Sequence, residues 1–264
     1  MEPNLLFVKS MRKGLAILDA FNTGERYLSL SEIAARSGLD KSAAQRFVFT
    51  LEQLGYLDRC PRTRRLSLGK KVLDLTFSFL RSHPLVDAAT PVLIELRRAC
   101  GERVSLSLFD NTTLIYAVRQ SGKRETFYSS LIGRRMPIHC AAGGRAIMAH
   151  LSEDEAAELI ARSNLKPQTP TTVTDPARIL EKVAQARAQG YAVVVGESVV
   201  GEITVAAAVL DNESRPIAAV HIAGSLGEWE PAEYERRFAP LAVEAAWSLS
   251  QIDAMSPAAI RSAS

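Results

Sequence analysis

The stretch Ser29–Gly69, SLSEIAARSGLDKSAAQRFVFTLEQLGYLDRCPRTRRLSLG, decides how the N-terminal third of the chain folds. Ser29 with Glu32 three residues later is a capping box, each side chain satisfying a backbone N–H at the start of a helix. Ile33 and Ala34 give that helix an inward face, and Gly38 ends it by accepting left-handed backbone. Asp40 caps the next helix, in which Ala44, Phe47, Val48, Leu51 and Leu54 recur at i, i+3, i+4, i+7 and i+10 as one buried stripe. The opposite face then carries Lys41, Ser42, Ala43, Gln45, Arg46 and Thr50, mostly short polar residues with an Arg, which suit a major groove. After Gly55, two short runs, Tyr56–Arg59 and Arg65–Leu68, flank CPRTR, with Arg62, Arg64 and Arg65 at the tip. Cap, turn, stripe and basic ribbon occur in the order of a winged helix-turn-helix whose wing touches phosphates.

Upstream, Val8, Met11, Leu15, Leu18 and Phe21 fall on one helical face, expected to pack behind that motif. Downstream, Lys70–Leu80 is amphipathic with two apolar edges and stops before Pro84. It reads as an interdomain linker that self-associates, because one neighbour would leave an edge wet. Two copies of a winged helix engage two half-sites about 34 Å apart, so palindromic double-stranded operator DNA and a homodimer are the expected partners.

Charge supports this division. Residues 1–82 hold 14 Lys or Arg against 8 Asp or Glu, a net of +6, and residues 83–264 hold 18 against 21, a net of −3. A basic module joined to a neutral-to-acidic one fits nucleic-acid binding by the first. At 264 residues, with 47% hydrophobic and 23% charged residues, the chain can build two cores. No apolar run reaches the roughly 18 residues of a membrane helix, and no signal-peptide core opens the chain, so a cytoplasmic protein without a membrane role is expected. Cys60, Cys100 and Cys140 have neither CxxC spacing nor a His pattern; no metal and no cofactor is expected.

The remainder reads as an α+β domain with a largely antiparallel sheet. A helix with the stripe Leu85, Ala88, Ala89, Val92, Leu93, Leu96 and Ala99 is followed by a hairpin, Val104–Phe109 and Thr113–Val118. Arg119–Pro137, with basic residues at Arg119, Lys123, Arg124, Arg134 and Arg135, is expected to form a loop plus a short strand, either a solvated surface or a lid. HCAAGGRAIMAH, His139–His150, starts with small residues and turns helical, so a carboxylate can approach its free N–H groups. Two further helices, three strands (191–195, 203–210 and 217–223) and a last helix from Pro231 to about Asp253 complete the domain. The expected boundaries are 1–69 for the winged helix-turn-helix, 70–83 for the linker helix, 84–255 for the effector domain and 256–264 for a disordered tail.

Together KGLAILDAF, SLSEIAARSGL, the R-x-x-x-T-L-x-x-L-G-Y-L run from Arg46 to Leu57, RRLSLGKKVLDL, PIHCAAGGRAIMAHL and ARAQGYAVVVGESVVGEITVAAAV resemble the IclR family of bacterial transcriptional regulators. The resemblance spans about residues 5–253. It implies a GAF-like C-terminal domain that binds a small organic effector, dimers that pair into tetramers on DNA, and no catalysis. Carried over by motif, it places the effector against the backbone of Ala142 and Gly143, with Val194, Thr204, His221 and Ala223 on the last strands and Tyr128 and Met136 in the wall. Relatives that bind short 2-oxo acids are more polar at these strand positions; Val194 and Ala223 depart from that. The departure points to a carboxylate on an apolar body, an aromatic acid, with His221 as a hydrogen-bond partner. The branch that regulates the β-ketoadipate pathway is the nearest analogy.

Three alternatives stay open on sequence. One is the same regulator sensing a short 2-oxo or hydroxy acid. Another is a redox sensor acting through Cys140 or Cys60. The third is an enzyme using Cys140, but His139 and Cys140 are adjacent, and neighbours in extended chain point opposite ways; no nucleophile framework lies elsewhere.

Overall fold

The computed structural model describes residues 6–22, 24–122 and 132–254 and divides the chain into two units, Met1–Leu80 and Arg81–Ser264. The tail expected at 256–264 lies outside the described residues.

In the first unit α1 (Lys9–Asp19), α2 (Leu30–Ser37) and α3 (Lys41–Gln53) precede a ribbon of β1 (Leu57–Arg59) and β2 (Leu66–Leu68). The capping box is present, with Ser29 N donating to Glu32 Oε2 at 2.6 Å and Glu32 N to Ser29 Oγ at 3.2 Å. Gly38 ends α2 at φ 67°, a left-handed conformation that costs glycine nothing. Asp40 caps α3 by accepting from Ala43 N at 2.8 Å. The ribbon is antiparallel, Leu57 opposite Leu68 and Arg59 opposite Leu66, and Leu28 pairs with Leu66 at its edge.

The core of this unit contains Ile17, Leu28, Ile33, Ala44, Val48, Leu57 and Leu66. Of the stripe expected of α1 it contains Phe21, with Leu18 packed against it. Val8, Met11 and Leu15 are exposed, and Ile17 and Ala20 are buried in their place. Helix α1 carries two apolar stripes, and the inward one includes Gly14, where even an added Cβ would lie 3.7 Å from the Phe47 ring. Leu54 also departs from expectation: it is the C-cap of α3, beyond the last buried turn, and it is exposed.

The helix expected at Lys70–Leu80 is α4, Val72–Ser82, and none of its residues is buried. Leu73, Leu75, Phe77 and Phe79 are all exposed.

The second unit comprises α5 (Pro84–Cys100), β3 (Arg103–Asp110), β4 (Thr113–Gln120), β5 (Arg135–Pro137), α6 (Ala142–Met148), α7 (Glu153–Arg162), α8 (Pro176–Gln189), β6 (Ala192–Val195), β7 (Glu202–Leu210), β8 (Pro216–Ser225) and α9 (Pro231–Ala254). Its sheet runs β5-β4-β3-β8-β7-β6 with every neighbouring pair antiparallel. Helix α9 lies on β7 and β8, α5 on β3 and β4, and α6 crosses β7 and β8. Strands covered on both faces lose the usual alternation of apolar and polar residues, and ITVAAAV of β7 is accordingly buried from Ile203 to Val209. Its run of alanines lets helices approach closely on both sides.

Candidate functional site

On α3 the outward face carries Lys41, Ser42, Gln45, Arg46 and Thr50, all exposed. Ala43 is half-buried, its N–H committed to Asp40, and the Thr50 hydroxyl donates to Arg46 O at 3.0 Å within the helix. The wing arginines divide into two kinds. Arg62 and Arg64 are exposed at the tip, Arg64 at φ 58°. Arg65 instead turns inward, donating to Glu32 Oε2 at 2.8 Å and to Tyr27 O at 3.0 Å. The Ser29 backbone N–H, then the Ser29 hydroxyl and Arg65, hold the Glu32 carboxyl down to about 2. Arg59 likewise grips Glu52 of α3 with Nε at 2.7 Å and Nη2 at 2.5 Å. Arg59 and Arg65 fix the ribbon to the helices, and Arg62 and Arg64 are left to reach outward.

In the second unit a small cavity, about 40 Å³, lies between α6 and the sheet. Met136, Ala142, Thr204, His221 and Ala223 line it, as the sequence led one to expect. Val194 does not; it packs with Ala142 and Ala206 in a small apolar cluster. Gly143 lies directly against His221, where an added Cβ would sit 2.3 Å from the ring, so only glycine lets α6 settle on the histidine. Tyr128, with Lys123 and Arg124, lies outside the described residues.

Sequence reasoning read Arg119 and Arg134 as part of a surface loop or a lid and did not single out Arg103. Arg103, Arg119 and Arg134 line the same cavity with Ser105, Tyr116 and Glu202. Register explains the grouping: Ser105 of β3 is opposite Arg119 of β4 on one side and His221 of β8 on the other. Two residues along β3, Arg103 is opposite Ala223, which is opposite Thr204, which is opposite Val194. Polar side chains are therefore not removed from the pocket; they enter it from β3 and β4 as well as from β7 and β8. A usable signal was present in the alternation Arg103-x-Ser105-x-Ser107, a polar stripe on a strand whose Ser105 and Ser107 prove to be buried.

The cations differ in what holds them. Arg103 pairs with Glu202, which also accepts from Thr204 Oγ1 at 3.2 Å. Nε and Nη1 of Arg119 are buried with no hydrogen-bond partner among the described residues. Burial and the neighbouring Arg103 push the Arg119 pKa down. His221, 2% exposed, shares a 2.7 Å hydrogen bond between Nε2 and Ser107 Oγ and leaves Nδ1 unpartnered. Burial, helped by Arg103, lowers its pKa to about 3, so the ring is neutral at pH 7. Tyr116, whose ring centroid is 5.4 Å from that of His221, is pushed up to about 12 by burial and by Glu202.

Behind α6, Arg145 is 1% exposed and makes a bidentate pair with Glu197, 2.8 Å and 2.7 Å. Val173 N donates to the same carboxylate at 3.0 Å, and Thr172 Oγ1 to Glu197 O at 2.6 Å. This pair ties the Pro/Thr-rich connection to α6 and to the turn after β6, where Ser198 Oγ donates to Cys140 O at 2.6 Å. Cys140 is fully buried and its thiol is pushed up to about 11 by burial, which removes the thiolate that a redox sensor or a nucleophile needs.

Residues 10–61 match the IclR helix-turn-helix domain, and residues 77–251 match the bacterial transcriptional regulator IclR C-terminal domain. The chain belongs to the IclR family. It is 30% identical to the Pca regulon regulatory protein of Pseudomonas putida, over 92% of this chain and 83% of that one. It is 29% identical to the p-hydroxybenzoate hydroxylase transcriptional activator of Acinetobacter baylyi, over 85% and 84%. It also shares the fold of an IclR homologue from Microbacterium hydrocarbonoxydans crystallised with 4-hydroxybenzoate, at a TM-score of 0.75 and 22% identity, over 94% and 100%. As an IclR-family protein the chain is a transcriptional regulator, not an enzyme, with a helix-turn-helix for operator DNA and a C-terminal domain for a small effector. Among the described residues no helix is long and apolar enough to cross a membrane.

Proposed function

We propose that this regulator controls genes of aromatic catabolism and that its effector is an aromatic carboxylic acid held beneath α6. The observation that carries the reading is Arg119, a cation lining the cavity with two buried and unpartnered N–H groups. A carboxylate supplies a charged acceptor that those groups lack, and a guanidinium is the side chain that binds carboxylates most strongly. Met136, Tyr116, Val199, Ala141 and Ala142 provide apolar walls for a ring. Nδ1 of His221, two strand spacings or about 10 Å across the sheet from Arg119, is placed for a ring hydroxyl. The regulators named for Pca and p-hydroxybenzoate genes support the aromatic class. Thermal melts of the full chain with benzoate, 4-hydroxybenzoate, phenol, pyruvate and glyoxylate test this: the two aromatic acids stabilise, and stabilisation by the short oxo acids alone refutes it.

The same reading makes the protein a cytoplasmic homodimer, able to pair into a dimer of dimers, on a palindromic operator. Its support is the exposed apolar surface of α4, with Leu73, Leu75, Phe77 and Phe79, and of α1, with Val8, Met11 and Leu15. Exposed apolar area on this scale marks a protein interface. Sedimentation of the full chain at micromolar concentration tests it, and a monomer refutes it.

A further inference from the structure

Phe49 stands 61% exposed in the middle of α3. The core side of this helix is set by Ala44 and Val48, both 0% exposed, with Leu51 packed against the same cluster. At about 100° per residue, Phe49 projects within roughly 20° of Ser42 and 40° of Gln53, and about 100–160° away from Val48, Ala44 and Leu51. Ser42, Phe49 and Gln53 thus lie together on the outward face, between Gln45 and Arg46. The cleft beside it is mostly polar, bordered by Gln45, Glu52, Gln53, Arg59 and Arg64 with Leu30 as its one other apolar member. A phenyl ring held out to water on this face does not belong to the unit's buried core.

We propose that Phe49 is a base-reading residue that recognises a thymine in each half-site by apolar contact with its C5-methyl group. The inference rests on α3 being the helix that enters the major groove. Each flank of that helix carries hydrogen-bonding side chains, Gln45 and Arg46, but only Phe49 between them offers apolar surface. In the major groove the thymine methyl is the one apolar mark among donors and acceptors. In the motif R-x-x-x-T-L, running here from Arg46 to Leu51, Phe49 fills an unspecified position, where a residue can differ without disturbing the helix.

The test uses the full chain and duplexes selected by it from a randomised pool. Each thymine of a selected half-site is replaced by deoxyuridine, which lacks only the methyl group. The expected result is one thymine per half-site at which uracil weakens binding of the wild-type protein about fourfold, the weight of one buried methyl, and at which Phe49→Ala shows no such loss. Restoring the methyl as 5-methylcytosine paired with guanine retains part of the wild-type preference over cytosine and none in Phe49→Ala. Equal uracil sensitivity in both proteins at every position overturns the proposal. So does a selected half-site without a methyl-sensitive thymine. If the wild type selects no sequence at all, the placement of α3 in the groove has failed instead. Phe49→Ala melts with the wild type, because the ring is not part of the core.

Discussion

Replacing Arg119 with methionine should strengthen the empty protein and disable it as a sensor. Methionine keeps the length and wall of the side chain and removes the charge. In the empty pocket the guanidinium leaves two buried N–H groups without acceptors, and an unmet buried polar group costs about 1–3 kcal/mol. Because the side chain as a whole is only half-buried, the lower end applies, about 1 kcal/mol, or roughly 2–4 °C in the melting of a unit of this size. With effector bound the sign reverses. Charge-assisted hydrogen bonds contribute about 1.5–3 kcal/mol each, so losing the grip costs about 3 kcal/mol, roughly a hundredfold in Kd. At a ligand concentration of about 100 Kd the wild type gains about 2.7 kcal/mol; the variant, near its own Kd, gains about 0.4 kcal/mol by the same relation. Melting curves of both proteins with and without 4-hydroxybenzoate read all four states. A variant that melts higher when empty and barely responds to the acid fits the reasoning. One that responds like the wild type shows that the carboxylate sits elsewhere, and one that melts lower shows that Arg119 is a structural cation.

His221 makes stability depend on pH. Its folded pKa, about 3, lies below the usual value of 6.5, so the unfolded chain binds the extra proton between these values. Stability from this group is complete above pH 6.5 and falls as pH drops toward 3, by up to about 1.4 kcal/mol per pH unit. His221→Gln should flatten the acid limb of the melting curve; buried His139, also lowered, keeps a share of it. Breaking the buried pair with Glu197→Ala should cost about 3–5 kcal/mol by stranding Arg145, and the double variant Glu197→Ala with Arg145→Met should recover part of it in denaturant titrations. Arg62→Ala should reduce the slope of log Kd against log salt by about 1 without altering sequence preference. Arg65→Ala should in addition lower the melting temperature, since it releases Glu32 and Tyr27. Arg46→Ala should relax base preference in a selection experiment, and unchanged preference would place a different face of α3 in the groove.

How much of this was legible in the sequence depended on the range of the signal. Caps, the Gly38 turn and the α3 stripe are encoded within a few residues of where they act, and Ser29, Glu32 and Asp40 do what their spacing implies. Helix α1 was half read: Leu18 and Phe21 face the core as expected, while Val8, Met11 and Leu15 do not, and Ile17 and Ala20 take their place because the two apolar stripes of this helix meet at its C-terminal end. The grouping of the pocket cations was missed for a different reason. Arg103, Arg119 and His221 are brought together by strand register across β4, β3 and β8, which no local spacing contains. Motif carry-over found the residues near α6 and along β7 and β8, and placed Val194 in the pocket where it is core.

The two arginines that lie nearest the row of His221 explain why an anion suits this pocket better than a neutral ring. Arg103 spends its charge on Glu202, and Glu202 is in turn bonded to Thr204, so that corner is complete before any ligand arrives. Arg119, on the neighbouring strand, has its Nε and Nη1 unmatched. A neutral phenol would fill the apolar walls yet offer one weak acceptor where a carboxylate offers two charged oxygens, leaving at least one of these donors unmatched, which is the costly outcome. An aromatic carboxylate removes that cost as it binds, so discrimination against the neutral analogue comes from what the protein would otherwise leave unpaired. Phenol should therefore fail to stabilise the wild type, and its deficit relative to benzoate should shrink in Arg119→Met, where neither ligand has a cation to satisfy.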